Sequence, residues 1–267
     1  MQNNALSSAT PGFNSGLNNE LLLARGGTGK PSLSSIQSQY QVAEDRMIRW
    51  EPKLGGFIPS FGLAGNRTMT ATEGQMLDRL TRDQGILGLQ RFSGLVDEAF
   101  TTAGNRVPTT GPIPAAVEAE IKKLPADMQT AARNQWPTGD GHNDAFRHAY
   151  WNARMTSEFG EQWANQYGTA HEAVTTQINN SSVREAMDLY NNKVGRQIAV
   201  DNPNASPAEL ADKVKQALDD GKLLVVNQRG QLAWSNEVAV GHHGRASSGT
   251  APGAIAVPEG NAYPNLR

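Results

Sequence analysis

The residues best equipped for chemistry lie between Gly139 and Arg196, where histidines, carboxylates and side-chain amides recur at helical spacing. In Gly139-Asp-Gly-His-Asn-Asp-Ala-Phe-Arg-His-Ala-Tyr-Trp-Asn152, Asp144 and His148 are four apart and share one face of a helix. Trp151 and Asn152 extend that face by a turn, and Arg147 lies beside it. An acid four residues before an imidazole can orient the ring as a general base, or both groups can ligate a metal whose position the helix fixes. Two further helical patterns add His171-Glu172, and then Asp188 with Asn191 and Asn192 at spacings of three and four. Neighbouring helices build bundle sites from such inward-facing groups. Taken alone, a His-Glu pair is more often solvated surface, an Asn-Asn pair a helix end, and Asp144 with His148 an ordinary intrahelical ion pair. Their density in one stretch is what favours a site.

Cysteine is absent, so disulfides, thiolate metal sites and cysteine nucleophiles are excluded. Any metal must be held by His, carboxylate or carbonyl groups. The net charge of -2 gives no overall pull on phosphate backbones or anionic membranes, which disfavours nucleic-acid binding. No apolar run approaches the ~20 residues that span a bilayer, and the start, Met1 to Gly16, lacks a basic and then apolar leader. The expectation is a protein exported by a dedicated machine without a cleavable signal peptide, and cytoplasmic in the producing cell before that.

The elements that must position these groups read as mainly α: a helical bundle with a small C-terminal β-hairpin and flexible N- and C-terminal arms. Residues 1–40 read as a flexible arm, 41–107 as a helical N-terminal region, 108–240 as the helical effector or catalytic domain, and 241–267 as a disordered tail. Gly26-Gly-Thr-Gly-Lys-Pro31 fails as a phosphate-binding loop, because Ala24 stands where the first glycine belongs and Pro31 follows Lys30. A capping box, Thr70-Ala-Thr-Glu73, opens one helix, and Ile86 to Ala103 continue the helical pattern. Prolines 108, 112 and 114 mark a boundary. Helices are expected at Ile113–Leu124, Pro125–Trp136, Asp140–Phe159, Glu161–Gln177, Ser182–Val200 and Ser206–Asp220. Asp140 or Asn143 is the expected cap of the third, and the last carries Ser206, Pro207 and Glu209 in box order with Gly221 beyond. Lys222–Asn227 and Gln231–Ser235 read as a hairpin. His242-His243 lack the strand, helix and basic groove of a histidine-metal nuclease finger and read as tail.

Three blocks together, Asn143-Asp144-Ala-x-Arg147-His148-x-x-Trp151-Asn152, Ala170-His171-Glu172, and Asp188-x-x-Asn191-Asn192-x-x-Gly195-Arg196, resemble an uncharacterised helical domain found near the C-termini of bacterial polymorphic toxins and Type VI secretion effectors. The resemblance covers about residues 110–236. It implies a secreted antibacterial effector with a cognate immunity protein; the N-terminal arm, which the resemblance does not reach, is read separately as engaging a secretion apparatus or chaperone.

The leading expectation is a hydrolase, metal-assisted or not, acting on a cell-envelope substrate, phospholipid or peptidoglycan. In it His148 is the base, Asp144 its orienting group, His171 or Glu172 a second acid/base or ligand, and Arg147 the holder of an anionic group. Asn143, Trp151, Asn152, Asp188, Asn191 and Asn192 would contact substrate. A divalent ion held by Asp144, His148 and His171 would be Zn if histidines dominate, or Ca or Mg if carboxylates and amides do. The alternatives are a metal-dependent nuclease using His142, Asn143 and His171, and a non-enzymatic phage or secretion-particle component or membrane-perturbing module whose polar motif only knits helices together.

Overall fold

The computed structural model describes residues 30–52, 67–108, 113, 115–123, 125–174 and 181–246. Residues 1–29 of the arm expected at 1–40, and residues 247–267 of the tail expected at 241–267, lie outside these residues.

From Leu33 the described residues are mainly helical, as the periodicity indicates, with two short antiparallel ribbons, the second of them the expected hairpin. Helix α1 (Leu33–Gln39) leads to a ribbon of β1 (Met47–Trp50) and β2 (Arg67–Thr70), and α2 follows at Ala71–Arg106. Helices α3 (Ala115–Ile121) and α4 (Ala126–Gln135) precede a 3-10 turn at Trp136–Thr138. The polar motif rides on α5 (His142–Phe159), α6 (Glu161–Glu172) and α7 (Ser182–Asp201). Helix α8 (Pro207–Asp219), the hairpin β3 (Leu224–Val226) and β4 (Leu232–Trp234), and a 3-10 turn at Ser235–Glu237 follow, and the described residues run on to Ala246.

Several boundaries follow from local chemistry. The Thr70–Glu73 and Ser206–Glu209 boxes both form, each hydroxyl accepting from the third backbone N–H while the glutamate reaches back. Gly85, at φ 66°, breaks α2 into two rods, a conformation glycine adopts without a Cβ clash. The first ribbon escapes the sequence reading because each strand is only four residues long, too short for alternation to stand out.

Helix α5 is the axis of the bundle. Its residues 142–153 are all buried, because α2, α6, α7 and α8 pack around it. The tightest crossing is with α7. A Cβ on Gly195 would lie 1.9 Å from the carbonyl oxygen of Ala149, so only glycine permits that approach. Phe92, Trp151, Trp163 and Tyr167 form an aromatic core on one side of α5, with Phe92 and Tyr167 ring centroids 4.7 Å apart. On the other side, Ile36 from α1 packs with Met187, Leu224, Val226 and Trp234. Ile36 falls inside the span read as a flexible arm, and it is buried because it covers the outer face of α7 and the hairpin.

The start of the expected tail is also ordered into the core. His243, Gly244, Arg245 and Ala246 are buried, with the His243 ring stacked on Trp136 at 4.9 Å and its Nε2 3.0 Å from the Trp136 carbonyl oxygen. Gly139, Gly141 and Gly244 make room: a Cβ on them would strike Arg245, the His243 ring and the Asn227 carbonyl respectively.

Gly195→Ala therefore forces backbone apart at the central crossing. It should cost at least about 1–3 kcal/mol, seen as a drop in melting temperature of about 2–4 °C per kcal/mol. An unchanged melting temperature would contradict the close approach of α5 and α7.

Candidate functional site

The site assembles where the first two turns of α5 face the end of α6 and the second turn of α7. His148 stands at its centre, with its two ring nitrogens turned toward acids from different helices. Nε2 is 3.5 Å from Asp144 Oδ1 and 3.7 Å from Asp188 Oδ1, and Nδ1 is 3.4 Å from Glu172 Oε1. All four residues are buried. Arg147 Nη2 bridges Asp144 Oδ1 and His148 Nε2, the latter at 3.2 Å, and the guanidinium lies 4.7 Å over the Phe100 ring.

Electrostatics fix the protonation of the ring. Burial, aided by the neighbouring Arg147 charge, pushes the His148 pKa down to about 3, so the ring is neutral near pH 7. Arg147 can only donate, so Nε2 is the acceptor and the ring proton sits on Nδ1, facing Glu172. The acids respond in the opposite sense. Burial raises the Glu172 carboxyl to about 6 against the pull of His171 and Asn192. Burial also raises Asp188 well above the usual carboxylate range, and the charges of Glu172, Asp144 and Asp140 add to that rise. Asp188 Oδ1 has no hydrogen-bond partner although it is buried. Three acids thus converge with one guanidinium among them, a surplus of negative character that protons or a cation must balance.

A chain of amides holds the acids in place. Asn192 donates to Glu172 Oε1 at 3.3 Å and accepts from Asn152 at 2.7 Å, and Asn152 in turn accepts from Arg196 at 2.9 Å. Gly168 leaves space for the Asn152 amide, since a Cβ there would lie 2.7 Å from its oxygen.

Behind Asp144 sits a second ionic knot. Asp140 occupies the left-handed region at φ 60°, the only non-glycine to do so among the described residues. Its carboxylate accepts from Arg184 Nε and Nη2 at 2.7 and 2.9 Å and from the Ala246 N–H at 3.0 Å, with Arg245 Nη1 3.7 Å away. Its own N–H donates to Asp144 Oδ2 at 2.6 Å and its carbonyl accepts from Val226 N–H at 2.8 Å. Although burial opposes it, the charges of Arg184 and Arg245 hold the Asp140 carboxyl far below the usual range. Gly141, not Asp140 or Asn143, is the N-cap of α5.

The metal-capable group among the described residues is Asp144, His148 and Asp188, whose ligand atoms lie within 4.8 Å of one another. Edges of 3.5 and 3.7 Å compare with about 3.4 Å between ligands of a tetrahedral ion at ordinary bond lengths. Glu172 stands at the far nitrogen of His148, where metal-bound histidines place a carboxylate.

Residues 115–222 match a family described as a domain of unknown function, DUF6973. The DUF6973 span carries the whole trio, Glu172, Arg147 and the amide chain. It leaves out Glu73, the hairpin and Arg245. No curated protein and no solved structure matches the chain.

The remaining residues singled out from sequence take varied places. His171 stands apart from the trio: its Nδ1 is 2.9 Å from Glu73 Oε1, and its ring is edge-on to Trp151 at 5.2 Å. Burial works against charge on His171, but Glu73 outweighs it and its pKa is raised. Asn191 pairs both amide atoms with the Leu224 backbone, at 2.8 and 2.9 Å, and so fastens β3 to α7. Asn143 donates to the Val107 carbonyl at 3.0 Å, and His142 Nε2 lies 2.8 Å from the Ser235 carbonyl. Trp151 is core. Glu73 and Arg184 were not singled out, because a capping glutamate looks complete in its own box and an arginine on a helix looks solvated.

Asp140→Asn leaves Arg184 and Arg245 buried without their shared counter-charge, at a cost of about 3–5 kcal/mol. In the parent the folded carboxyl titrates lower than the unfolded one. Its stabilisation is therefore complete above about pH 4 and falls away as pH drops below that. Acid unfolding curves of parent and variant should converge at low pH; a constant gap would refute the coupling.

Proposed function

We propose that the chain is a metal-assisted hydrolase of the antibacterial effector type, delivered into target cells, countered by a cognate immunity protein, and directed at a cell-envelope substrate. The observation that carries the reading is the buried neutral His148 set between Asp144 and Asp188 on one side and Glu172 on the other. Asp144, His148 and Asp188 are the proposed ligands, with Asp188 in place of the His171 expected from the sequence. These three residues would hold a divalent ion, which would supply Lewis-acid activation of water for hydrolysis. Glu172 Oε1 lies 3.4 Å from His148 Nδ1 on the side of the ring away from the trio, and its elevated pKa suits proton transfer close to neutral pH. One His with two carboxylates accommodates Zn as well as harder ions.

The envelope as target rests on charge. A chain of net charge -2 lacks the cationic surplus that draws nucleases to their substrate. Among the described residues, no helix is long and apolar enough to cross a membrane. A second reading, in which the cluster only ties helices together, is favoured by one observation: Arg147 already supplies a cation at Nε2.

His148→Ala, expressed in cytoplasm and in periplasm and checked for fold by circular dichroism, separates the two. Lost toxicity in a folded variant is expected, together with released fatty acids or altered muropeptides in cells expressing the parent. A folded variant as toxic as the parent would refute catalysis through His148. Degraded DNA or RNA with an intact envelope would move the substrate to nucleic acid.

A further inference from the structure

The geometry points to Arg147 as an internal occupant of the cation site: guanidinium and divalent ion exclude each other, and ion binding expels Arg147 toward Phe100. This deepens the metal-assisted reading and rests on it. A neutral imidazole nitrogen has one lone pair in the ring plane. At Nε2 that pair now accepts from Arg147 Nη2 at 3.2 Å, and the same Nη2 contacts Asp144 Oδ1. A metal ion needs the Nε2 pair and cannot take it while Arg147 holds it, and it would also have to share Asp144 Oδ1 with the guanidinium.

Two further observations say that the site is made for something other than the arginine. Asp188 Oδ1 is buried, lies 3.7 Å from Nε2, and has no hydrogen-bond partner. A pocket built for a guanidinium alone would satisfy that oxygen. Glu172 stands 3.4 Å from Nδ1, so the ring is already backed by a carboxylate on the side away from Nε2. The arginine also has a way out. Its guanidinium lies over the Phe100 ring, and Phe100 is 41 % exposed at the surface of α2. A short swing keeps the cation–π contact while moving the charge to water. There it is placed to meet an anionic group of the substrate, so ion loading and substrate anchoring become one event.

The test measures ion binding by the full chain, metal-stripped, titrated calorimetrically in turn with Mn²⁺, Zn²⁺, Mg²⁺ and Ca²⁺. Arg147→Gln should bind at least about tenfold more tightly than the parent, because a competing charge is gone. Asp188→Asn and His148→Ala should abolish binding in that background, whereas His171→Ala should retain it. Equal affinity of parent and Arg147→Gln overturns the exclusion while leaving metal-assisted hydrolysis intact. No binding by either chain overturns both. If Arg147→Gln does not fold, phenylglyoxal labelling of the parent decides: peptide-mapped modification at Arg147 should rise severalfold on ion loading, and unchanged labelling refutes expulsion.

Discussion

The structure depends on one buried carboxylate in an uncommon backbone conformation. Asp140 turns the chain through the left-handed region just before α5, and that turn directs its side chain at Arg184 of α7 and at Arg245 while its carbonyl receives β3. A non-glycine residue held there stores a modest strain, tolerated when surrounding contacts over-determine it. Here four separate parts of the chain do so. The same residue donates its N–H to Asp144, so the knot that closes the fold also fixes the first acid of the site. Structure and chemistry share a hydrogen bond.

Around that point the bundle concentrates charge where a core is ordinarily apolar. Asp144, Arg147, His148, Glu172, Asp188, Asn152, Asn192 and Arg196 all lie buried among α5, α6 and α7. Burying so many polar groups is costly unless each finds a partner, and Asn152, Asn192, Glu172 and Arg196 do so through the amide chain. Asp188 Oδ1 and His148 Nδ1 are left without hydrogen-bond partners at the centre of the cluster, which sets it apart from a fully satisfied structural network. Departures from satisfied packing tend to fall where function opposes stability.

Much of this was legible in the sequence. Helix starts with both halves of a capping box, at Thr70 and Ser206, form as written, since the signal and the structure are the same few residues. Asp144 and His148 share a face because helix periodicity leaves no choice. Legibility ended where partners came from distant segments. Nothing local distinguishes Glu73 as a cap from Glu73 as the partner of His171, though it is both. Spacing placed His171 and Asp188 equally well near His148; the crossing of α5 and α7, set by Gly195, brings Asp188 in. The segment 242–246 has no periodicity because it is held by single contacts rather than by a repeating face.

Those contacts have a practical meaning for where a folding unit ends. The span that matches DUF6973 stops at 222, yet the carbonyl of Asp140 is bound by Val226, its carboxylate by Ala246, and the α7 amide of Asn191 by Leu224. A fragment trimmed to the matched span would leave Asp140 without its Ala246 and Arg245 partners and the Asn191 amide without the Leu224 backbone. The contacts that close the site reach beyond the matched span on both sides, to Glu73 before it and to Ala246 after it.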